Sequence, residues 1–581
     1  MAGRSLGLRG QLYARFREAT YVSMVLMSVV IGLLGGLFAV AFRKFIGLGN
    51  YVAWGDSEYT LDYIMQLPFW WKIAVPATGG LIVGLIIHYF AREAKGHGVP
   101  EVMEAVALKG GRIRPRVVVI KMFASGLCIA SGGSVGREGP IVQIGSAIGS
   151  TLGQWLRLGQ REIRTLVGCG AAAGIAGTFN APVAGALFAV EIILGDFAVS
   201  NFTPIVISSV AATVVGRYYL GDVPAFRVPT YELVHANELF AHAILGLLAG
   251  VVALGFVKTL YAFEDLFDRV RLYGPLKTLF GGAIIGLIAL KFPHIYGVGY
   301  EVIEEALKGG PSMIWQVLIV LVVVKILAVS ITIGSGGSAG IFAPSLFIGA
   351  MLGGAVGTVV HSLWPASTAG PGAYALVGMG AVVGATTHGP ITAILIIFEL
   401  TSEYKIILPL MLAVVLATAV ARLITRESIY TLKLIRRGVK FSTTMDQTVL
   451  RRITADKVTP GRVPVIGPEQ PFQEVVEQLE QHGPVDFVVA DEDGTYLGML
   501  TTNNIQLALL EREAVPLLVV GEVMRTDIPS VTSHEPLDSV FDKFAADEVV
   551  ALAVTQPETN KVIGTITQTA VMGAYMQALA E

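Results

Sequence analysis

Two nine-residue stretches decide most of what this chain can be. Gly132-Gly133-Ser134-Val135-Gly136-Arg137-Glu138-Gly139-Pro140 and Gly336-Gly337-Ser338-Ala339-Gly340-Ile341-Phe342-Ala343-Pro344 place three glycines, a serine and a proline at the same positions. Their prolines lie 204 residues apart (140 to 344), and Gly145 and Gly349 follow at the same spacing. Asn180-Ala181-Pro182, leading to Glu191, and His388-Gly389-Pro390, leading to Glu399, are 208 apart (182 to 390). Glu101-Val102 and Glu301-Val302 are 200 apart (101 to 301). Spacings that drift so little mark an internal duplication, and a repeat fixes the fold before any single element does. Glycines allow a sharp turn with N–H groups open to approach, and proline starts the next helix. The first turn of that helix presents unpaired N–H groups and the positive end of its dipole, which suits an anion. Glu138 puts a carboxylate at that place.

The surroundings are membrane-type. Of 581 residues 53% are hydrophobic and 15% charged, with mean hydropathy +0.66. Runs 23–42, 72–90, 242–260, 314–333 and 406–424 approach the roughly 20 apolar residues that span a bilayer, whereas 117–131 and 139–156 are shorter or broken by glycine and proline. The net charge of −2 argues nothing about nucleic acid, and no basic, aromatic patch suggests it, so no nucleic acid is expected as a partner. Cys128 and Cys169 stand in apolar runs as packing residues, with no metal or disulfide spacing. The N-terminus is too polar for a cleaved signal peptide.

Arg4, Arg9, Arg15 and Arg17 precede the first span, and Arg422, Arg426, Lys433, Arg436, Arg437 and Lys440 accompany the end of the last. The segment from Arg92 to Lys121 is basic too, and basic flanks stay in the cytoplasm. Both termini inside require an even number of crossings. Two repeats of odd crossings satisfy this, and their topologies are then inverted, with a site where broken helices meet at mid-membrane. The expected fold is therefore an α-helical polytopic membrane protein with an inverted internal repeat and broken helices. Its parts are a cytoplasmic segment 1–20, membrane repeats 21–220 and 221–437, and a soluble tail 438–581. In the tail, 485–489 with 496–500 and 549–554 with 562–566 read as strand pairs, the first joined at Asp491-Glu492-Asp493-Gly494. Helices at 471–482 and 535–546 complete an α/β unit of two similar halves.

At these residues the chain resembles the CLC family of chloride channels and proton/chloride exchangers. Gly136-Arg137-Glu138-Gly139-Pro140 is similar to that family's GREGP motif, Gly340-Ile341-Phe342-Ala343-Pro344 to GxFxP, and Gly96-His97-Gly98-Val99-Pro100 to GSGIP. Tyr430 matches the tyrosine near its last membrane helix, and the tail resembles a cytoplasmic pair of CBS domains. The resemblance implies chloride held mid-membrane by the N–H groups of Ile341 and Phe342 with the Tyr430 hydroxyl nearby. It also assigns His97, Gly136, Arg137, Gly139 and Gly340 to the anion path and makes Glu138 a gate that imitates the anion when ionised. It implies a homodimer with one pore per subunit, in the plasma (inner) membrane, with both termini cytoplasmic. No metal and no cofactor is expected besides bound chloride.

The sequence departs from the family pattern in two places. His97 replaces serine, bringing an imidazole that titrates near neutrality and is a candidate pH sensor. Ile192 stands where exchangers usually carry an inner glutamate for protons; Glu191, one place earlier, points about 100° away on a helix and reads as a brace, with Glu399 as its mate. Arg137 reads equally as a partner of Glu138 or a guide for anions, and Lys121 and Lys325 as sources of positive potential or as charges against helix C-termini. On the missing inner acid, the expectation is a chloride-selective channel gated by protonation of Glu138, responsive to pH and voltage. The alternative is a proton-coupled exchanger. A fluoride transporter fits less well. A membrane enzyme does too, since no HExxH, nucleophile elbow or P-loop occurs. In the tail, Asn504 and Ala570 stand where nucleotide-binding CBS units place an aspartate after Gly-x-x-Thr, which argues for bracing over ATP binding.

Overall fold

The computed structural model describes residues 8–57, 60–90, 95–222, 226, 231, 234–310, 313–401, 405–437, 450, 453–458, 465–482, 486–509, 515–547, 549 and 551–578. Arg4, Arg92, Lys440, Val485 and Val550, singled out in the sequence, lie outside these residues. The chain divides into one compact unit to Phe441 and a second from Ser442.

The first half of the larger unit comprises α1 (Leu8–Trp54), α2 (Leu61–Gln66), α3 (Phe69–Phe90), α4 (Val99–Leu108), α5 (Arg116–Ala130), α6 (Glu138–Trp155), α7 (Gln160–Phe179), α8 (Pro182–Phe188) and α9 (Val199–Leu220). A π-helical turn, Ala189–Leu194, extends α8. The second half follows with α10 (Glu238–Arg269), α11 (Gly274–Ala289), α12 (Tyr300–Lys308), α13 (Trp315–Gly334), α14 (Phe342–Leu363), α15 (Pro371–Thr387), α16 (Pro390–Thr401), α17 (Ile407–Ile424) and α18 (Thr431–Arg436). Among the described residues six helices are long and apolar enough to cross a membrane, five at the expected runs and a sixth at Phe342–Leu363. That sixth is rich in glycine and alanine, which lowers its hydropathy but lets it pack tightly.

The two halves repeat each other in detail. α7 ends on Asn180 and α15 on His388, both left-handed, at φ 58° and 57°. Asparagine and histidine tolerate that conformation better than most side chains, and each turn feeds a proline-led helix. Arg217 Nε donates to Asn180 Oδ1 at 2.7 Å and Arg422 Nη2 to the His388 carbonyl at 2.8 Å. α6 and α7 touch at Gly145 and Gly170, where an added Cβ would meet the facing carbonyl at about 2 Å; Gly349 and Gly378 do the same for α14 and α15. α6 and α14 are buried on every side over their first three turns, as helices at the centre of a bundle are. Cys128 and Cys169 are buried and unpaired, as packing residues.

The second unit contains two three-stranded sheets of one topology. β1 (Val465–Ile466) lies parallel to β2 (Phe487–Ala490), which pairs antiparallel with β3 (Tyr496–Leu500). β4 (Val531–Thr532), β5 (Ala551–Thr555) and β6 (Val562–Thr567) repeat the arrangement, with a register shift at the matching place. α19 (Phe472–His482) and α22 (Leu537–Asp547) are the expected helices. α20 (Thr502–Ala508), α21 (Val520–Val523) and α23 (Gln568–Ala578) add to them. Gly494, at φ 81°, closes the β2–β3 turn by donating to the Asp491 carbonyl. The two-residue strands β1 and β4 are too short to carry an alternating pattern in sequence.

Candidate functional site

The duplicated turns meet at the centre of the larger unit. Gly136 N donates to the Gly340 carbonyl at 2.7 Å and Gly340 N to the Gly136 carbonyl at 2.6 Å. Equivalent residues thus pair reciprocally and antiparallel, as a local two-fold axis requires. The exchange uses both amides, so of the residues expected on the anion path Gly136 and Gly340 join the turns and do not offer their N–H groups. The loop before α4 closes on the same point: Gly96 N donates to the Gly337 carbonyl at 3.1 Å, and the Ser125 and Ser338 hydroxyls lie 2.9 Å apart. A Cβ on Gly139 would stand 2.0 Å from the His97 carbonyl oxygen, and one on Gly340 2.7 Å from Gly139 N. Backbone packs on backbone here, which glycine alone permits.

Two buried lysines fix the loops from behind. Lys121 Nζ donates to the Gly96 carbonyl at 2.9 Å; Lys325 Nζ donates to those of Gly297 at 3.1 Å and Ile295 at 3.3 Å. The pair does the same task in each half (121 and 325, again 204 apart). Lys121 meets the loop that opens α4, and Lys325 meets the loop that opens α12 together with the last carbonyl of a 3-10 turn, Pro293–Ile295.

Glu138 crosses from one half to the other. Its side chain is buried, with Oε1 accepting from the Tyr300 hydroxyl at 2.9 Å and Oε2 from Ala343 N at 3.3 Å. A carboxylate from the first copy therefore occupies the N-terminus of α14, the place where dipole and free N–H groups favour an anion. Ile341 and Phe342 begin that helix, and the Phe342 ring is wedged between Phe179 and Phe188 at 6.4 and 6.3 Å. The Arg137 guanidinium lies 5.2 Å from the centre of the Tyr300 ring. Phe226 meets the same ring edge-on at 5.2 Å. Sequence reading passed over Tyr300, although the duplication pointed to it: it precedes Glu301-Val302 as Pro100 precedes Glu101-Val102.

His97 and Tyr430 lie together with ring centres 6.0 Å apart, each 1% exposed. Neither ring nitrogen of His97 has a hydrogen-bond partner. Tyr430 opens α18, whose next turns are anchored by Lys433 to Glu264, Arg436 to Asp265, and Arg437 to Glu101 at 2.7 Å and Glu104 at 3.5 Å.

Away from this centre, Glu191 caps the other half. Its carboxylate accepts from Ile391 N at 3.2 Å, Thr392 N at 2.7 Å and Thr392 Oγ1 at 2.6 Å, at the start of α16. Glu399 returns the contact, accepting from Val183 N at 2.9 Å and Ala184 N at 2.7 Å, at the start of α8. Ile192 is buried and supplies no acid. Among the described residues no group of His, Cys, Asp or Glu could hold a metal ion. In the tail the Thr501 hydroxyl is taken by Asn504, and that of Thr567 accepts from Ala570 N at 3.2 Å.

Both units resemble known proteins. Residues 79–422 match the voltage gated chloride channel family, and residues 456–511 and 520–577 each match the CBS domain. A protein of Ralstonia nicotianae, named ClcB-like and described as a chloride channel protein, is 36% identical over 71% of this chain and 97% of its own length. The H(+)/Cl(-) exchange transporter ClcA of Vibrio parahaemolyticus is 32% identical over 73% of this chain and 91% of its own. The crystal structure of a slow cyanobacterial Cl-/H+ antiporter superposes with TM-score 0.65 at 28% identity, covering 72% of this chain and 98% of that one.

Proposed function

The chain belongs to the CLC family, and from that premise we propose that it is a proton-coupled chloride exchanger. The observation that carries this reading is the seat of Glu138 on the first turn of α14. An ionised carboxylate there competes with chloride for the same N–H groups; protonation removes its charge and lets the anion displace it. Anion entry is then linked to proton uptake at one residue. The names of the exchange transporter and antiporter relatives point the same way. They outweigh the expectation of a channel, which rested on the missing acid at Ile192.

In this reading chloride sits between the N–H groups of Ile341 and Phe342 and the Tyr430 hydroxyl, with His97 facing it and Gly139 shaping the path. Dipoles and N–H groups replace part of its hydration without a full charge that would hold it too tightly. The protein resides as a homodimer in the plasma (inner) membrane, both termini cytoplasmic, and the CBS pair braces the assembly without a nucleotide. A gated channel is the second reading, favoured by Ile192 and by the ClcB-like relative.

Flux through liposomes containing the purified chain separates the two. A chloride gradient that drives protons uphill at a fixed ratio establishes exchange. Chloride movement under a potassium-set voltage, without proton movement, establishes the channel.

A further inference from the structure

Exchange needs a group that receives the proton on the inner side of Glu138. Ile192 has none to offer, Glu191 is held by three hydrogen bonds at α16, and Glu399 by two at α8. We propose that His97 is the inner proton relay, accepting the proton released by Glu138 and passing it toward the cytoplasm. This inference rests on the exchange reading.

The ring is buried, yet both its nitrogens lack partners. A neutral imidazole carries one N–H and one bare nitrogen, and a buried polar atom left unpaired costs about 1–3 kcal/mol. Two such atoms on one ring point to partners that come and go. An anion in the space beside Tyr430 takes the N–H, and the bare nitrogen remains a base. The His97 carbonyl backs directly on Gly139, next to Glu138, so relay and gate sit on touching turns. Neither Lys121 nor Lys325 can serve, because each is spent on loop carbonyls.

The step balances without another reagent than water. The protonated carboxyl of Glu138 gives its proton to a water in the anion space, and the bare nitrogen takes one from that water. Glu138 returns to carboxylate and reseats on α14. The imidazolium then releases the proton on its other nitrogen to inner water. One proton has moved, and a ring flip turns the newly bare nitrogen back toward the anion space.

The surroundings favour passage over retention. Lys121 from α5 contacts the carbonyl of Gly96, and Lys433 from α18 also reaches Gly96, with Arg437 one turn further along α18. Glu101 on α4 neutralises Arg437 and leaves its Oε2 unpaired; Gln143 on α6 leaves its Oε1 unpaired. Lys433 is paired with Glu264 and Arg437 with Glu101 and Glu104, so these carboxylates are engaged by cations and none bonds either nitrogen of His97; the ring works as a stop on the way and not as a trap.

The test measures protons carried per chloride in liposomes with the full chain, for the wild type, His97→Gln and His97→Ser. Glutamine donates and accepts hydrogen bonds without titrating. The ratio should fall about tenfold or more in both variants, since a positioned acid–base group contributes about 10²–10⁴-fold, whatever happens to the chloride rate. Adding Ile192→Glu to His97→Gln should restore it. Variants that keep the wild-type ratio overturn the relay alone, whereas a wild type that moves no protons overturns the exchange reading beneath it. For variants that fail to assemble, ring-nitrogen NMR of the wild type decides: signals that move when chloride is withdrawn at fixed pH support the relay, and unmoved signals overturn it.

Discussion

At the scale of single residues, the proposed exchange rests on a few side chains that the helices hold against each other. Glu138→Gln keeps the shape but cannot ionise, so the pH dependence of chloride flux should flatten; a retained profile would remove Glu138 from the gate. Tyr300→Phe deletes the hydroxyl that fastens the carboxylate. A hydrogen bond to a charged group contributes about 1.5–3 kcal/mol, and one pH unit corresponds to about 1.4 kcal/mol. The acid activation midpoint should therefore move upward by about one to two units, read from flux against pH. Glu138, His97 and Tyr430 were legible in sequence because their motifs are local and the repeat set their frame. Tyr300 was not, since its contact spans 162 positions and its own neighbourhood contains no motif. Nor could sequence reveal that Gly136 and Gly340 satisfy each other, or that Arg137 lies over the Tyr300 ring.

Among elements, the cross-caps matter most. Replacing Glu191 with glutamine retains an oxygen but loses the charge at the start of α16, which costs about 1 kcal/mol by the usual worth of a cap or dipole contact. The expected result is a melting point lower by a few degrees with the proton-to-chloride ratio unchanged. A changed ratio would return Glu191 to the proton path. Gly145→Leu or Gly349→Leu should instead abolish assembly, because the side chain would enter a facing carbonyl. In the tail, burial alone would raise the Glu535 carboxyl. The Lys543 ammonium at 2.8 Å, the Ser539 hydroxyl and Thr532 N outweigh it and hold the group below its ordinary value of 4.5. Its contribution to stability is thus complete above that value and fades as pH falls through the lowered one. Lys543→Met should shift the acid loss of hydrogen-exchange protection in α22 to higher pH. The helices were legible from their apolar runs, and α14 only in part, because its glycines and alanines serve packing more than hydropathy.

For the whole molecule, the duplication was the most informative signal, and three pairs of residues sufficed to find it. It could not show which partner each copy meets, since those contacts lie some 200 positions away. The CBS pair should show no rise in melting temperature with added ATP, because the threonine turns that would face a ribose are closed by Asn504 and Ala570. A ligand at a hundred times its dissociation constant would stabilise by about 2.7 kcal/mol, so a binding site of ordinary affinity would be seen. The reciprocal Gly136–Gly340 pair has a last consequence. Neither copy contains a finished anion seat, so a chain of half this length could have worked only beside a twin inserted upside down. Expressed as two separate polypeptides, the halves should each be inert and regain transport only in company.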